Sequence, residues 1–200
     1  LEKGWRVYRG TRGSIRLDWE GRNKSEGRAP AVVEAELFRR RFEGVVEEMG
    51  ELLRRTALST NIKERLDYSC ALLDAEGRLI VNAPHIPVHL GALGLCVREV
   101  SASRMWKEGD SVVVNHPAFG GSHLPDVTVI SPAFVEDQLL GFVANRAHHA
   151  EIGGKTPGSM PPDSCCLAEE GIVIPPTLIE SIGDEFFEES RSPADNLADL

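Results

Sequence analysis

From Ala31 onward apolar residues recur every three or four positions: Phe38, Phe42, Val45, Met49, Leu52 and Leu53 fall on one helical stripe, with Arg39, Arg40, Glu43, Glu47 and Glu48 on the other. The spacing predicts one long amphipathic helix that stops near Ser59-Thr60-Asn61, where polar turn formers end the apolar period. Beyond it the period shortens to that of strands. Residues 68–73 and 78–81 flank the turn sequence Asp74-Ala75-Glu76-Gly77 and read as an antiparallel hairpin. Residues 111–115, 127–135 and 139–145 read as three further strands, the last two joined by Glu136-Asp137-Gln138. In residues 83–89, Pro84 and Pro87 exclude regular helix, whereas residues 90–101 have helical composition despite Gly91 and Gly94. Glycine, proline and serine dominate residues 153–176, which predicts a long ordered loop, and residues 184–200 return to a helical pattern. Near the start, residues 5–8 and 14–19 alternate around Gly10-Thr11-Arg12-Gly13, a small hairpin, and a polar linker follows to Ala29. The expected fold is α+β, a long N-terminal amphipathic helix packed on a mainly antiparallel sheet.

At 200 residues the chain is long enough for one substantial domain, or one with an appendage. Its 42% apolar and 26% charged residues exclude a disordered chain, and no apolar run approaches the roughly 18 residues that a membrane span needs. A formal net charge of −9 argues against a nucleic-acid partner. The charge is uneven: residues 1–30 hold eight basic against four acidic residues, a sum of +4, which leaves −13 for residues 31–200. Two different pieces of chain therefore meet near Pro30. The start at Leu1 shows no basic-apolar-small order of a secretory signal and reads as a cut or processed end. Cys70, Cys96, Cys165 and Cys166 contain no CxxC pair, so free thiols in a reducing, cytoplasmic setting are expected rather than disulfides or a zinc finger.

All six histidines lie between positions 85 and 149. His123-Leu124-Pro125-Asp126 sets an imidazole and a carboxylate three residues apart at the start of a strand, and Asn145-Arg146-Ala147-His148-His149 brings two imidazoles to the end of the next. If those strands pair antiparallel, Asp126 and His148 become neighbours. Two histidines and one carboxylate with open positions suit a divalent cation that also takes water and substrate, with manganese, iron or zinc as candidates. Singly, any one of these histidines reads more readily as a loop residue bonded to carbonyls; only the trio together tips the reading to a metal. His85, His89 and Asp67 either complete the set or stand behind it, orienting the ligands. His149 alternates with His148 and is expected to point the other way. Gly154-Lys155-Thr156 imitates a phosphate-binding loop, but position 149 is histidine where a glycine is required, and Pro157-Gly158 blocks the helix that should follow. No Gly-x-Ser-x-Gly elbow accompanies the loop serines, and Cys165-Cys166 has no recognisable base spacing.

Four spaced blocks carry a resemblance: Asn61-Ile62-Lys63-Glu64-Arg65-Leu66-Asp67-Tyr68-Ser69-Cys70; His85-Ile86-Pro87-Val88-His89-Leu90-Gly91; Gly120-Gly121-Ser122-His123-Leu124-Pro125-Asp126; and Asn145-Arg146-Ala147-His148-His149-Ala150 with Pro157-Gly158-Ser159-Met160-Pro161-Pro162. Together they resemble the hydantoinase B/oxoprolinase family, from about Pro30 to the end, over what would be the first third of a member. The resemblance implies a fragment of a larger domain. Residues 1–29 look like the closing strands of an A-type component. It also implies ATP-dependent opening of a cyclic amide such as 5-oxoproline or a hydantoin, with a partner A component supplying ATP and magnesium in a hetero-oligomer. In the related acetone carboxylase alpha subunit a His-x-x-Asp and a later His hold the metal, positions that match His123, Asp126 and His148; His89 and Asp67 lie near the same site. His149 or Asp67 would carry protons, and Arg146 would neutralise phosphate. Two alternatives stand beside this, a carboxylase-type subunit acting on a ketone and an inactive assembly fragment. His116 stands where the family usually has an acid after Asn115.

Overall fold

The computed structural model describes residues 5–9, 15–19, 30–83 and 86–200, with residues 5–9 and 15–19 and Leu90 described by their backbone alone. Two compact units divide the chain, Leu1–Phe38 and Arg39–Leu200. The first contains the expected hairpin, β1 (Trp5–Arg9) against β2 (Ile15–Trp19), in register from Trp5↔Trp19 to Arg9↔Ile15.

Helix α1 (Ala31–Thr56) is as long as the apolar period predicts, and the short α2 (Thr60–Lys63) follows the expected stop. The stripe that faces the core is rotated from the predicted one. Val46 and Gly50 are buried, with Met49 and Leu53 beside them, while Val45 and Leu52 remain 46% and 63% exposed. Gly50 explains the rotation: a Cβ there would lie 3.0 Å from the Tyr68 ring, so the bare backbone lets α1 approach the sheet along that line.

Six antiparallel strands form the sheet of the second unit: β3 (Tyr68–Asp74), β4 (Leu79–Ala83), β5 (Val112–Val114), β6 (Asp126–Val135), β7 (Gln138–His148) and β8 (Thr177–Leu178), in the order β4-β3-β7-β6-β5-β8. The β6–β7 ladder contains one irregularity: Ala133 pairs with Gly141 but Phe134 with Leu139, leaving Leu140 as an extra residue. Helix α3 (Pro87–Ala102) lies between β4 and β5 in sequence. It starts earlier than expected because Pro87 occupies the first helical turn, where a missing N–H costs nothing and the fixed φ assists. His89 therefore stands on a helix rather than in a loop; His85 lies outside the described residues.

The sheet is the middle layer. On one face Leu93, Val97 and Val100 of α3 pack against Leu73, Ile130 and Phe142; full burial of side chains of this size stabilises by roughly 1.5–3 kcal/mol each. On the other, α1 and α2 cover Tyr68, Cys70 and Ala147, and the segment after β7 covers Val113, Val127 and Leu124 with Ile152, Ile174 and Phe187. That segment contains α4 (Leu167–Glu170) inside the predicted loop and α5 (Pro193–Ala198) in the predicted terminal helix. No helix among the described residues is long and apolar enough to cross a membrane, and all four cysteines are free thiols.

Candidate metal centre

Strand register brings two of the expected ligands together. Asp126 opens β6, His148 closes β7, and the ladder sets them directly opposite each other, as the antiparallel pairing predicts. His123 reaches the same point from the turn before β6, where the Asp126 N–H donates to the His123 carbonyl at 3.0 Å. Three donor atoms converge: His123 Nε2 is 2.9 Å from His148 Nδ1 and 3.4 Å from Asp126 Oδ1, and the last two are 3.2 Å apart. Donors held about 2.1 Å from one cation stand about 3.0 Å apart at cis octahedral positions and about 3.4 Å apart at tetrahedral ones. The observed separations fit the edges of such a polyhedron. Among the described residues this is the group of histidine, cysteine and carboxylate side chains placed to hold an ion.

Behind these three stands His89, fully buried in the first turn of α3, with Nδ1 3.0 Å from Ser69 Oγ. Its Nε2 lies 3.6 Å from Asp126 Oδ2, too far for a hydrogen bond, and both atoms are buried without a hydrogen-bond partner among the described residues. Orphaned buried polar atoms are costly, and here they border the cation position. Asp67 approaches from the solvent side, with Oδ2 3.9 Å from His148 Nδ1 and its carbonyl accepting the His148 N–H at 2.9 Å. Leu66 directly before it adopts the left-handed φ of +57°, a conformation costing a side-chain-bearing residue about 1–2 kcal/mol, and so turns the chain into β3 at Asp67. Asp126 is 1% exposed, whereas His123 and Asp67 keep 33% and 38% of their side-chain area open. The cluster is anchored inside and open at one edge, the arrangement that leaves room for water and substrate.

Protonation states suit ligation. Burial pushes the Asp126 carboxyl up, but the surrounding imidazoles of His148, His89 and His123 outweigh it and hold the group well below the usual carboxylate range. Burial lowers the His123 imidazole from its ordinary 6.5, against the pull of Asp126, so the neutral form is favoured. An ionised carboxylate beside a neutral imidazole is what a cation requires.

Two residues singled out in the sequence lie elsewhere. His149 is turned to the opposite face, as its alternation with His148 predicts, and is buried with Nδ1 3.2 Å from Asn196 Oδ1. Arg146 is also fully buried; Nε donates to Thr128 Oγ1 at 2.8 Å, and the other two nitrogens reach Gly120 O at 3.0 Å and Ser122 Oγ at 3.4 Å. Sequence reasoning missed Ser69, Thr128 and Asn115. Ser69 and Thr128 stand two residues after Asp67 and Asp126, so the strand period marks both as same-face neighbours. Asn115, buried at the end of β5, donates to the carbonyls of Leu124 and Ile172, both at 2.9 Å, and accepts from Ile174 N–H at 2.6 Å. His116 caps a short helical turn, Nδ1 accepting the Ala118 N–H at 3.0 Å, a task an acidic side chain also performs.

The chain is 56% identical over 147 residues to 5-oxoprolinase 1 of Arabidopsis thaliana, a match covering 72% of this chain and 12% of that relative. Among solved structures, the ATP-dependent caprolactamase from Pseudomonas jessenii superposes with a TM-score of 0.77 at 28% identity, over 86% of this chain and 31% of that one. The nucleotide-free structure of acetone carboxylase shares the fold, with a TM-score of 0.71 at 21% identity, over 82% of this chain and 22% of the other. This chain thus spans about an eighth of its plant relative and about a third of the caprolactamase chain. The model of the hydantoinase B/oxoprolinase family matches residues 31–200, the whole of the six-stranded sheet and its covering helices, and the chain belongs to that family.

Proposed function

We propose that this chain carries the metal centre of an enzyme that opens a cyclic amide, 5-oxoproline or a hydantoin, at the expense of ATP bound by a partner A-type component in a hetero-oligomer. The observation that carries the reading is the convergence of His123, Asp126 and His148 within 3.4 Å of one another from two segments of chain. The substrate class is supported by the identity to a 5-oxoprolinase and by the likeness to a caprolactamase that uses ATP. Amide resonance makes the ring carbonyl a poor electrophile, so coupling to ATP on the partner supplies the activation.

A divalent cation, manganese, iron or zinc, held by the three side chains would polarise the carbonyl and lower the pKa of a water molecule. The chain's own part is to prepare its ligands and the proton path. Asp126, buried and ionised, supplies the negative charge, and Ser69 fixes the His89 ring beside it. Asp67, exposed at the open edge and 3.9 Å from His148, is the carboxylate positioned to take a proton from water. Metal analysis of the purified chain and of H123A and H148A tests the centre, followed by ATP-coupled turnover of 5-oxoproline with an A component. Both variants are expected to lose bound metal and turnover. Unchanged metal content in both overturns the assignment.

A further inference from the structure

We propose that Arg146 is a positioning residue for the metal centre: its buried guanidinium ties the loop carrying His123 to the sheet, and so sets the third donor against the two that strand register already fixes. The inference rests on the metal-site reading above and goes beyond it in saying what brings the His123 donor to the other two.

Asp126 and His148 sit on paired strands, and their backbone separation follows from the ladder. His123 sits in a turn outside any ladder, with a third of its side chain exposed, so strand pairing does not set its backbone position. Its position depends on the backbone to either side. On the following side the buried Asn115 amide grips the Leu124 carbonyl at 2.9 Å. On the preceding side the grip is Arg146, which reaches from the central strand to Gly120 O at 3.0 Å and Ser122 Oγ at 3.4 Å while Thr128 steadies Nε at 2.8 Å. The loop is also jammed in place. A Cβ on Gly120, whose φ is +78°, would lie 2.7 Å from the Cys96 backbone nitrogen in α3, and one on Gly121 would collide with the Asn115 carbonyl.

The chemistry of Arg146 fits this task better than simple packing. A fully buried charge is costly unless it is paired or fully hydrogen-bonded. The ion pairs around Asp126 involve His89, His123 and His148, not Arg146, and the acceptors its guanidinium meets are neutral oxygens. An apolar side chain of similar volume would fill the space without that cost. What it lacks is the planar fork that spans a strand hydroxyl and a loop carbonyl together.

The test uses Co2+ as the probe, with affinity from calorimetry and the visible ligand-field spectrum reporting the donor set. R146K keeps the charge but not the fork. It is expected to remain folded, to bind Co2+ about 10-fold or more weaker, as loss of an outer partner of a ligand does, and to show a spectrum shifted toward that of H123A. Wild-type affinity and spectrum in R146K, even with a lowered Tm, would mean that the residue only packs and would overturn the proposal. Should R146K fail to fold, S122A at the exposed end of the same contact carries the test: weaker Co2+ binding supports the proposal, and unchanged binding overturns it. Failure of the wild-type chain to bind any divalent cation would sink the metal reading itself and this inference with it.

Discussion

His148 and His149 are consecutive, yet they open onto two buried polar clusters of opposite character. On the α3 face, the cluster around Asp126 leaves Asp126 Oδ2 and His89 Nε2 without partners among the described residues and crowds three imidazoles around one carboxylate. On the other face every group named here is answered. His149 donates to Asn196, Asn196 donates to Ser190 Oγ, Ser59 Oγ accepts the Ala150 N–H, and Asp199 accepts the N–H groups of Leu58 and Ser59 at 2.5 and 2.9 Å. Glu151 takes the N–H groups of Gly153 and Arg191 and pairs with the Arg191 guanidinium at 2.7 Å. A polar cluster that closes on itself is architecture, here latching α5 and the segment before it to the sheet. One that leaves buried donors and acceptors unmatched awaits a ligand.

The contrast is sharpest when a single residue is removed from each side. D126N takes the only charge from the three-donor set, and calorimetry with Co2+ or Zn2+ should record no binding, while α5 stays docked. D199A should do the reverse. Two hydrogen bonds to a charged acceptor are lost, for about 3 kcal/mol or roughly 6–12 °C in Tm, with metal affinity unchanged. Parallel losses of both properties in either variant would break the division between the clusters. G121A tests the boundary, since its Cβ would enter the Asn115 carbonyl; overpacking of this kind costs about 1–3 kcal/mol, and displacing the loop should weaken Co2+ binding as well. The smallest effect is in pH. Burial holds the His149 imidazole below its ordinary 6.5, so the unfolded chain takes up a proton that the folded chain does not, and stability declines as pH falls below about 6.5. H149N, which keeps a donor toward Asn196, should flatten that decline in urea midpoints between pH 7 and 5 by up to about 1.4 kcal/mol per pH unit.

Much of this was readable before any coordinates, and the misses have physical causes. His123, Asp126 and His148 were legible because strand alternation and antiparallel pairing convert sequence spacing into spatial position, and the two hairpins and the long helix followed from period alone. Which side of α1 turns inward was not, because the contact is set by the absent side chain of Gly50 against Tyr68 rather than by the largest apolar residues. The two prolines of residues 83–89 place His89 in a loop if proline only breaks helices, whereas Pro87 initiates α3. Asn115 was invisible for another reason: its amide bridges Leu124 and Ile174, the second of them 59 residues away, and no local pattern announces such a partner. Arg146 carried a chemical expectation from its type, but burial depends on the layer above it, which composition does not reveal.

The surplus residue Leu140 near the closed end of the β6–β7 hairpin decides what happens at its far mouth. Between Leu140 and the turn, Phe134 faces Leu139; past it, every partner is displaced by one position, and that offset is why Asp126 meets His148. Were Leu140 instead paired with Ala133 in a regular ladder, Asp126 would face Ala147, and His148 would turn to the opposite side of the sheet from Asp126. A single looped-out position some eight rungs away thus keeps the two halves of the clasp on the same side.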